Sequence, residues 1–154
     1  MSFTDERTAW DAYFKDIREL KKQAVDVGIV DTAETYPDGV TVQEVAAIQE
    51  FGYPEKHIPA RPWLATTSND PETQTGLTSE IINVVNGLPF GKKKPQDVIA
   101  KAGSYYVGRM RHIIETFPWI PNSPRTVREK GSEQPLIHTR LFISSIKAEK
   151  VSEP

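Results

Sequence analysis

Three histidines, His57, His112 and His138, are the side chains of this sequence best suited to metal ligation or to proton transfer near neutral pH. They lie far apart in the chain, and none belongs to a ligand pair at helical or turn spacing, so the pattern does not read as a metal site. Cysteine is absent, which removes disulfides, thiolate metal sites and thiol nucleophiles and suits a reducing compartment. Glu44 and Glu50 flank one helical pattern, but the first belongs to a capping box, so a paired-carboxylate acid–base site is not expected. There is no nucleophile elbow. The run from Gly87 to Lys92 lacks both the spacing of a phosphate loop and the hydroxyl residue that follows its lysine. Lys92, Lys93 and Lys94 read as a solvated loop tip, with nonspecific contact to a DNA backbone as the functional alternative. The sequence therefore gives no reason to expect an enzyme, a metal or a cofactor.

Two other segments are hard to explain by stability alone. One runs from Ile58 through Arg61 and Pro62 to Trp63; the other runs from Pro121 and Asn122 through Pro124, Arg125 and Arg128 to Lys130 and Gly131. Both are stiffened by proline and both are cationic. Proline lowers the entropy lost on docking, and arginine forks suit carboxylates across an interface. The chemistry these segments suggest is recognition of another protein surface, against the plainer alternative of loops packed on their own domain.

The chain has 154 residues and a net charge of −2 from 19 basic and 21 acidic side chains. That length fits one domain, spanning residues 1–154, with a core of its own. The charge balance excludes a polycation built to coat nucleic acid. No apolar run is long enough to cross a bilayer, and residues 1–7 do not read as a secretory signal. Twelve prolines, all but one between Pro37 and Pro135, predict long ordered loops or arms.

The elements that must position these segments follow from periodicity. Thr4 caps a predicted helix over 5–23, with Trp10, Tyr13, Phe14, Ile17 and Leu20 at helical spacing. Its narrow aromatic stripe reads as core packing, or else as a face on which Trp10 and Tyr13 dock on another subunit. Residues 25–30 alternate and are β-branched, predicting a strand in which Gly28 permits a bulge or a close backbone approach. A turn is expected at Tyr36-Pro37-Asp38-Gly39. A helix over 42–51 is bounded by the Thr41/Glu44 capping box and by Gly52. Residues 53–64 follow an extended proline-rich path, with Pro62 able to open a further turn. Ser68-Asn69-Asp70-Pro71 reads as a break, then a helix covers 77–86, a loop 87–95 and a long helix 95–116. Gly103 and Gly108 each weaken that last helix by about 1 kcal/mol relative to alanine, which predicts close packing there. Pro118, Pro121, Pro124 and Pro135 predict an extended arm over 118–136. Thr139 is expected to cap a short helix, and the polar tail from residue 147 to fray. The fold class is α+β: a small antiparallel or mixed sheet packed by helices, with an extended proline-rich loop and a C-terminal arm.

Three blocks taken in order resemble a known family. Gln49-Glu50-Phe51-Gly52 closes a helix, Ile58-Pro59-Ala60-Arg61-Pro62-Trp63 follows, and Lys130-Gly131 precedes Pro135-Leu136-Ile137-His138-Thr139-Arg140-Leu141 and Ser144-Ser145-Ile146. With Val27-Gly28-Ile29 upstream, this is similar to the neck and tail-completion proteins of tailed bacteriophages, also described as virion morphogenesis or head–tail joining proteins. His138 stands where that family carries aspartate, and Arg140 where it carries glycine, which argues against a tight left-handed turn at residue 140. The chain also ends soon after Ile146, so the last strand of the family is expected to be short or missing.

The resemblance implies a structural virion protein without catalytic residues. Such a subunit, assembled in the host cytoplasm, forms a ring, expected as a hexamer, between the portal-bound adaptor of the head and the tail tube. Its partners would be further copies of itself, head-completion or adaptor proteins, and the tail terminator or tube protein. DNA would enter only as the genome passing through the channel. On this reading Arg61, Pro62 and Trp63 form one contact, and residues 122–130, with Asn122, Arg125, Arg128 and Lys130, form an arm toward a neighbour. Trp63 and Trp119 serve as aromatic anchors. The alternatives are a terminator capping the tail tube and, from another class, a nucleic-acid-binding accessory module using Lys92, Lys93 and Lys94.

Overall fold

The computed structural model describes residues 3–30, 32–90, 92–131, 133, 135–136 and 140–151. The chain begins with helix α1 (Phe3–Leu20), which turns its half-buried residues Tyr13, Asp16, Ile17 and Leu20 inward at helical spacing. Strand β1 (Ala24–Gly28) follows and pairs with β2 (Lys147–Val151) at the other end of the chain. The pairing is antiparallel, with Ala24 opposite Val151 and Gly28 opposite Lys147. The fold is therefore α+β, mostly helical around a two-stranded antiparallel sheet. The expectation that the tail frays is corrected over residues 147–151, and the last strand is present, five residues long. The sequence of β2 carries no apolar face of its own; what orders it is the ladder that β1 offers.

Helix α2 (Val42–Phe51) has the predicted bounds. The Glu44 amide donates to the Thr41 hydroxyl over 3.1 Å, and the Glu44 carboxylate accepts from the Thr41 amide over 2.9 Å. A turn with Gly39 at φ +84° leads into it, and Gly52, at φ +76°, ends it. A Cβ at Gly52 would sit 2.8 Å from the Ala60 nitrogen, so glycine is required there by crowding as well as by conformation.

After a 3-10 turn at Pro54–Lys56 come α3 (Trp63–Asn69) and α4 (Pro71–Val85). Helix α4 starts six residues before the predicted 77. Asp70, read as part of a break, is its N-cap: the carboxylate accepts from the Thr73 amide at 2.7 Å, and Pro71 occupies the first helical position, where a missing N–H does no harm. A second 3-10 turn, Leu88–Phe90, leads to the long helix α5 (Pro95–Thr116), whose bounds match the sequence reading. Helix α5 lies on both strands, and Gly103 is where it touches them. A Cβ there would meet Ala148 Cβ at 2.9 Å and Val25 Cγ2 at 3.2 Å. At Gly108 and Gly28 a Cβ would meet nothing within 4 Å, so the close approach expected at those positions does not occur.

The extended arm predicted for 118–136 is also corrected. Residues 124–130 form a helix, α6 (Pro124–Lys130), with Ser123 as N-cap, Pro124 at its first position and Gly131 in the left-handed conformation after it. The prolines at 118 and 121 do keep their stretch irregular, but it packs on the domain. The short helix α7 (Leu141–Ser144) starts after Arg140, which adopts φ +59°. The left-handed turn doubted at that position is thus present, carried by arginine. Thr139 and His138 lie outside the described residues.

The core joins α2, α3, α5 and α7 through Val42, Ala46, Trp63, Met110, Ile114, Phe142 and Ile146. Trp63 meets Phe142 edge to face at 5.2 Å between ring centroids. Among the described residues no helix is long and apolar enough to cross a membrane.

Candidate protein interface around the Arg61 clamp

The two proline-rich segments singled out in the sequence meet in space, and Arg61 joins them. Its side chain is only 4% exposed. Nε donates to the Ile120 carbonyl at 2.8 Å. Nη2 donates to the Pro121 carbonyl at 3.1 Å and to Asn122 Oδ1 at 3.3 Å, and Nη1 to Gln49 Oε1 at 2.9 Å. The Arg61 backbone N–H donates to the Gln49 carbonyl at 2.6 Å. Burial pushes the guanidinium pKa down from its ordinary value.

This arrangement has a cause in covalent chemistry. Residues 118–124 include three prolines, so the segment has seven carbonyls but only four amide donors. A stretch short of donors must borrow them, and a guanidinium carries five in a rigid fork. Gly52 contributes by letting the backbone near Ala60 come close enough to aim Arg61 across the gap.

Neighbouring charges do similar work. Glu50, 9% exposed, accepts from the amides of Leu64 at 2.8 Å and Ala65 at 3.2 Å, capping α3 where Pro62 offers no capping side chain. Arg109 bridges α5 to the start of α4 through Asp70 at 2.9 Å and Glu72 at 3.1 Å.

The clamp holds an apolar surface in place. Trp119 is half-buried on the core; its indole N–H donates to the Ile114 carbonyl at 3.0 Å, and its ring stands 4.5 Å from that of Phe117. Phe117 and Ile120, on either side of it, are both exposed. Pro62, Pro118 and Pro121 are exposed too. Between Pro62, Ala65, Pro71 and Phe117 lies an open groove of about 440 Å³. Contiguous exposed apolar surface with fixed backbone is what protein partners bind.

The structure thus brings together Arg61, Pro62, Trp119 and Asn122. Two expectations need correction. Arg61 is not an outward fork: its hydrogen bonds close inside the subunit. Trp63 is not a surface anchor: its ring is fully enclosed, and its indole N–H donates to the Ala46 carbonyl at 3.3 Å. Arg125 is exposed on α6 and pairs with Glu129 at 2.8 Å, a surface pair of small energetic weight. Arg128 is exposed on the same helix, and the Lys130 side chain lies outside the described residues. Lys92, Lys93 and Lys94 are exposed just before α5, where the Lys94 amide donates to Asp97 Oδ2 at 2.7 Å. His57 and His112 are exposed on separate elements. Among the described residues no three His, Cys, Asp or Glu side chains gather as a metal site would need. The sequence reading gave Gln49, Phe117 and Ile120 no part in an interface; the alternation of proline with large apolar residues over 117–121 was the available signal. No family model, no curated protein and no solved structure matches this chain.

Proposed function

We propose that this protein is a structural subunit of the neck of a tailed bacteriophage, a ring that joins the portal or adaptor of the head to the tail tube. The observation that carries the reading is the surface of Phe117, Ile120 and Pro62, exposed and apolar, with its backbone tied down from beneath by a buried arginine. Fixing the backbone before contact lowers the entropy lost on assembly, which matters most where a small subunit must bind several neighbours. The three sequence blocks that resemble neck and tail-completion proteins supply the identity of those neighbours. Arg61 and Trp119 act as positioning residues for the surface, Asn122 belongs to the clamp, and Arg125 and Arg128 extend the surface along α6.

The test is assembly in infected cells with Phe117→Ser and Ile120→Asp, both at exposed positions. The expected result is a folded protein with filled heads and free tails that fail to join, seen by electron microscopy. Normal yields of joined particles would refute the reading. Recovery of the wild-type ring on free tails rather than on portal–adaptor complexes would replace it with a tail terminator.

A further inference from the structure

Strand β1 has a partner on one side only: among the described residues it pairs with β2 alone. In an antiparallel pair alternate residues turn their N–H and C=O groups to the partner, and the residues between turn theirs to the other edge. Among the described residues no hydrogen bond from outside the ladder reaches residues 24–30. The outer edge of β1 is therefore a row of open main-chain donors and acceptors, the template for a further strand.

That edge opens into a groove of about 540 Å³ between β1 and α2. Its β1 side is formed by the consecutive residues 26–30, with none of the described residues of β2. A groove over one face of a strand is lined by every second residue. An unbroken run, away from β2, is the strand's edge, and it offers about 17 Å of length. Facing it are Ala46, Ala47 and Phe51 of α2, with Trp63 and Leu64 of α3 beneath. Helix α2 packs on α3 and α7, which leaves the space beside β1 open.

The two faces of β1 define the segment that fits. Val27 and Ile29 turn toward the core, so a strand added to the sheet would lay every second side chain over the same apolar floor. Asp26 is on the other face, exposed, and lies directly opposite Glu149 of β2. Glu149 pairs with Lys147, whereas Asp26 has no ion pair among the described residues. Two carboxylates side by side on one face favour a cation as the next cross-strand neighbour. Glu50 takes no part, since both its oxygens already accept from the amides of Leu64 and Ala65. The same charge disfavours a second copy: two β1 edges paired about their centre would set Asp26 against Asp26.

We propose that the β1 edge takes up an extended segment of another protein as an added strand, with apolar side chains over Ala46 and Leu64 alternating with basic side chains beside Asp26. The inference goes beyond the neck assignment and does not rest on it, because the surface is a different one from that of Phe117 and Ile120.

The probe is a fluorescein-labelled peptide of alternating valine and lysine, read by fluorescence anisotropy against the full chain. Binding is expected with a dissociation constant below about 1 mM. Two further peptides carry N-methyl groups on the backbone nitrogens of either the valines or the lysines. A strand presents one of these sets to β1 and turns the other away, so one peptide is expected to lose at least about tenfold in affinity while the other keeps it. Asp26→Lys, at an exposed position facing Glu149, is expected to weaken the lysine peptide by about tenfold and to make a valine–glutamate peptide the better ligand. Ala47→Arg, exposed on the groove wall, is expected to weaken both. Circular dichroism checks that each variant is folded, and the methylated peptides decide on the wild type alone if one is not. Absence of binding at about 1 mM, equal responses to the two methylated peptides, or unchanged affinity in either folded variant overturns the proposal. So does a wild type that self-associates in sedimentation velocity and loses that association with Ala47→Arg, since the occupant is then a second copy.

Discussion

Replacing Arg61 with alanine removes the donors from four acceptors at once: the Ile120 and Pro121 carbonyls, Asn122 Oδ1 and Gln49 Oε1. If the 118–122 segment stayed in place, each of these part-buried acceptors kept from water would cost about 1–3 kcal/mol, a total well above the value of the packing that holds the segment down. That packing is the half-buried Trp119 ring, about 2 kcal/mol, and its indole hydrogen bond, about 1 kcal/mol. The cheaper response wins: the segment lifts, water reaches the carbonyls, and the loss stops at about 3 kcal/mol. With a urea dependence of about 2 kcal/mol per molar, the unfolding midpoint falls by about 1.5 M. Hydrogen exchange at the amide of Trp119, which donates to the Phe117 carbonyl at 2.8 Å, accelerates by about a hundredfold, while amides of α2 and α5 change only as far as global stability does. Lysine in place of arginine keeps the charge, but one nitrogen cannot span four acceptors, so less than half the stability returns. If Arg61→Ala unfolds within about 0.5 kcal/mol of the wild type, with exchange unchanged at Trp119, the clamp does not hold the segment and the argument fails.

Trp63→Ala empties an enclosed site between Ala46 and Phe142 and is expected to destabilise by about 3–5 kcal/mol in urea unfolding, far more than a surface anchor would. Gly103→Val drives a side chain into Ala148 and Val25, lifting α5 from the sheet at about 2 kcal/mol, whereas Gly108→Ala, with open space around it, stabilises by up to about 1 kcal/mol; thermal unfolding of the pair separates packing from propensity. Acid sensitivity follows from two helix caps. The hydroxyl and amide of Thr73, with Arg109, hold the Asp70 carboxyl below its ordinary pKa, and the amide and hydroxyl of Thr41 do the same for Glu44. Both groups release their protons more readily in the fold than in the unfolded chain. Their contribution is therefore complete above about pH 5 and drains as pH falls through the folded values. Asp70→Asn with Glu44→Gln is expected to flatten that acid limb of the stability–pH curve, and an unchanged limb would remove these caps as its origin.

The parts of the fold legible in the sequence were those marked at both ends. Helix α2 has a capping box before it and Gly52 after it, and α5 has a proline at its first position and another just past its end. The two misread segments share one error. Asp70-Pro71 and Ser123-Pro124 look like breaks, yet a capping side chain followed by proline is how a helix starts, and each opens one. Strand β2 was illegible because Lys147-Ala148-Glu149-Lys150-Val151 has neither an apolar face nor branched residues in number; only the distant β1 makes it a strand. Arg61 and Trp63 were legible as residues of consequence, but not the direction in which they face. A fork of donors and a large ring suit a partner's surface and a subunit's interior equally well. What decides is the arrival of three acceptors 59, 60 and 61 positions further along the chain, which no local pattern encodes.

Arg61 and Glu50, weighed in the sequence for an interface and for acid–base chemistry, instead solve the problem of unpaired backbone, and Arg111, which the sequence did not mark, does the same. Arg61 satisfies carbonyls that a proline-rich segment cannot satisfy for itself. Glu50 covers amides at the start of α3. Arg111 donates to the carbonyls of Ile143 at 3.2 Å and Ile146 at 2.7 Å, closing the far end of α7. Each takes a side-chain charge to a place where main-chain groups would otherwise be stranded. Once these groups are satisfied from inside, irregular backbone can stand at the surface without moving, and its apolar side chains can face outward in fixed positions. The buried arginine and the exposed Phe117 and Ile120 are then two halves of one device. Under the proposed function, an Arg61 variant should lose the joining of heads to tails in proportion to the lifting of residues 118–122, and a second donor placed at Gln49, as Gln49→Arg in the Arg61→Ala background, should restore both together. Recovery of stability without recovery of joining would show that the surface matters for something other than its fixed shape.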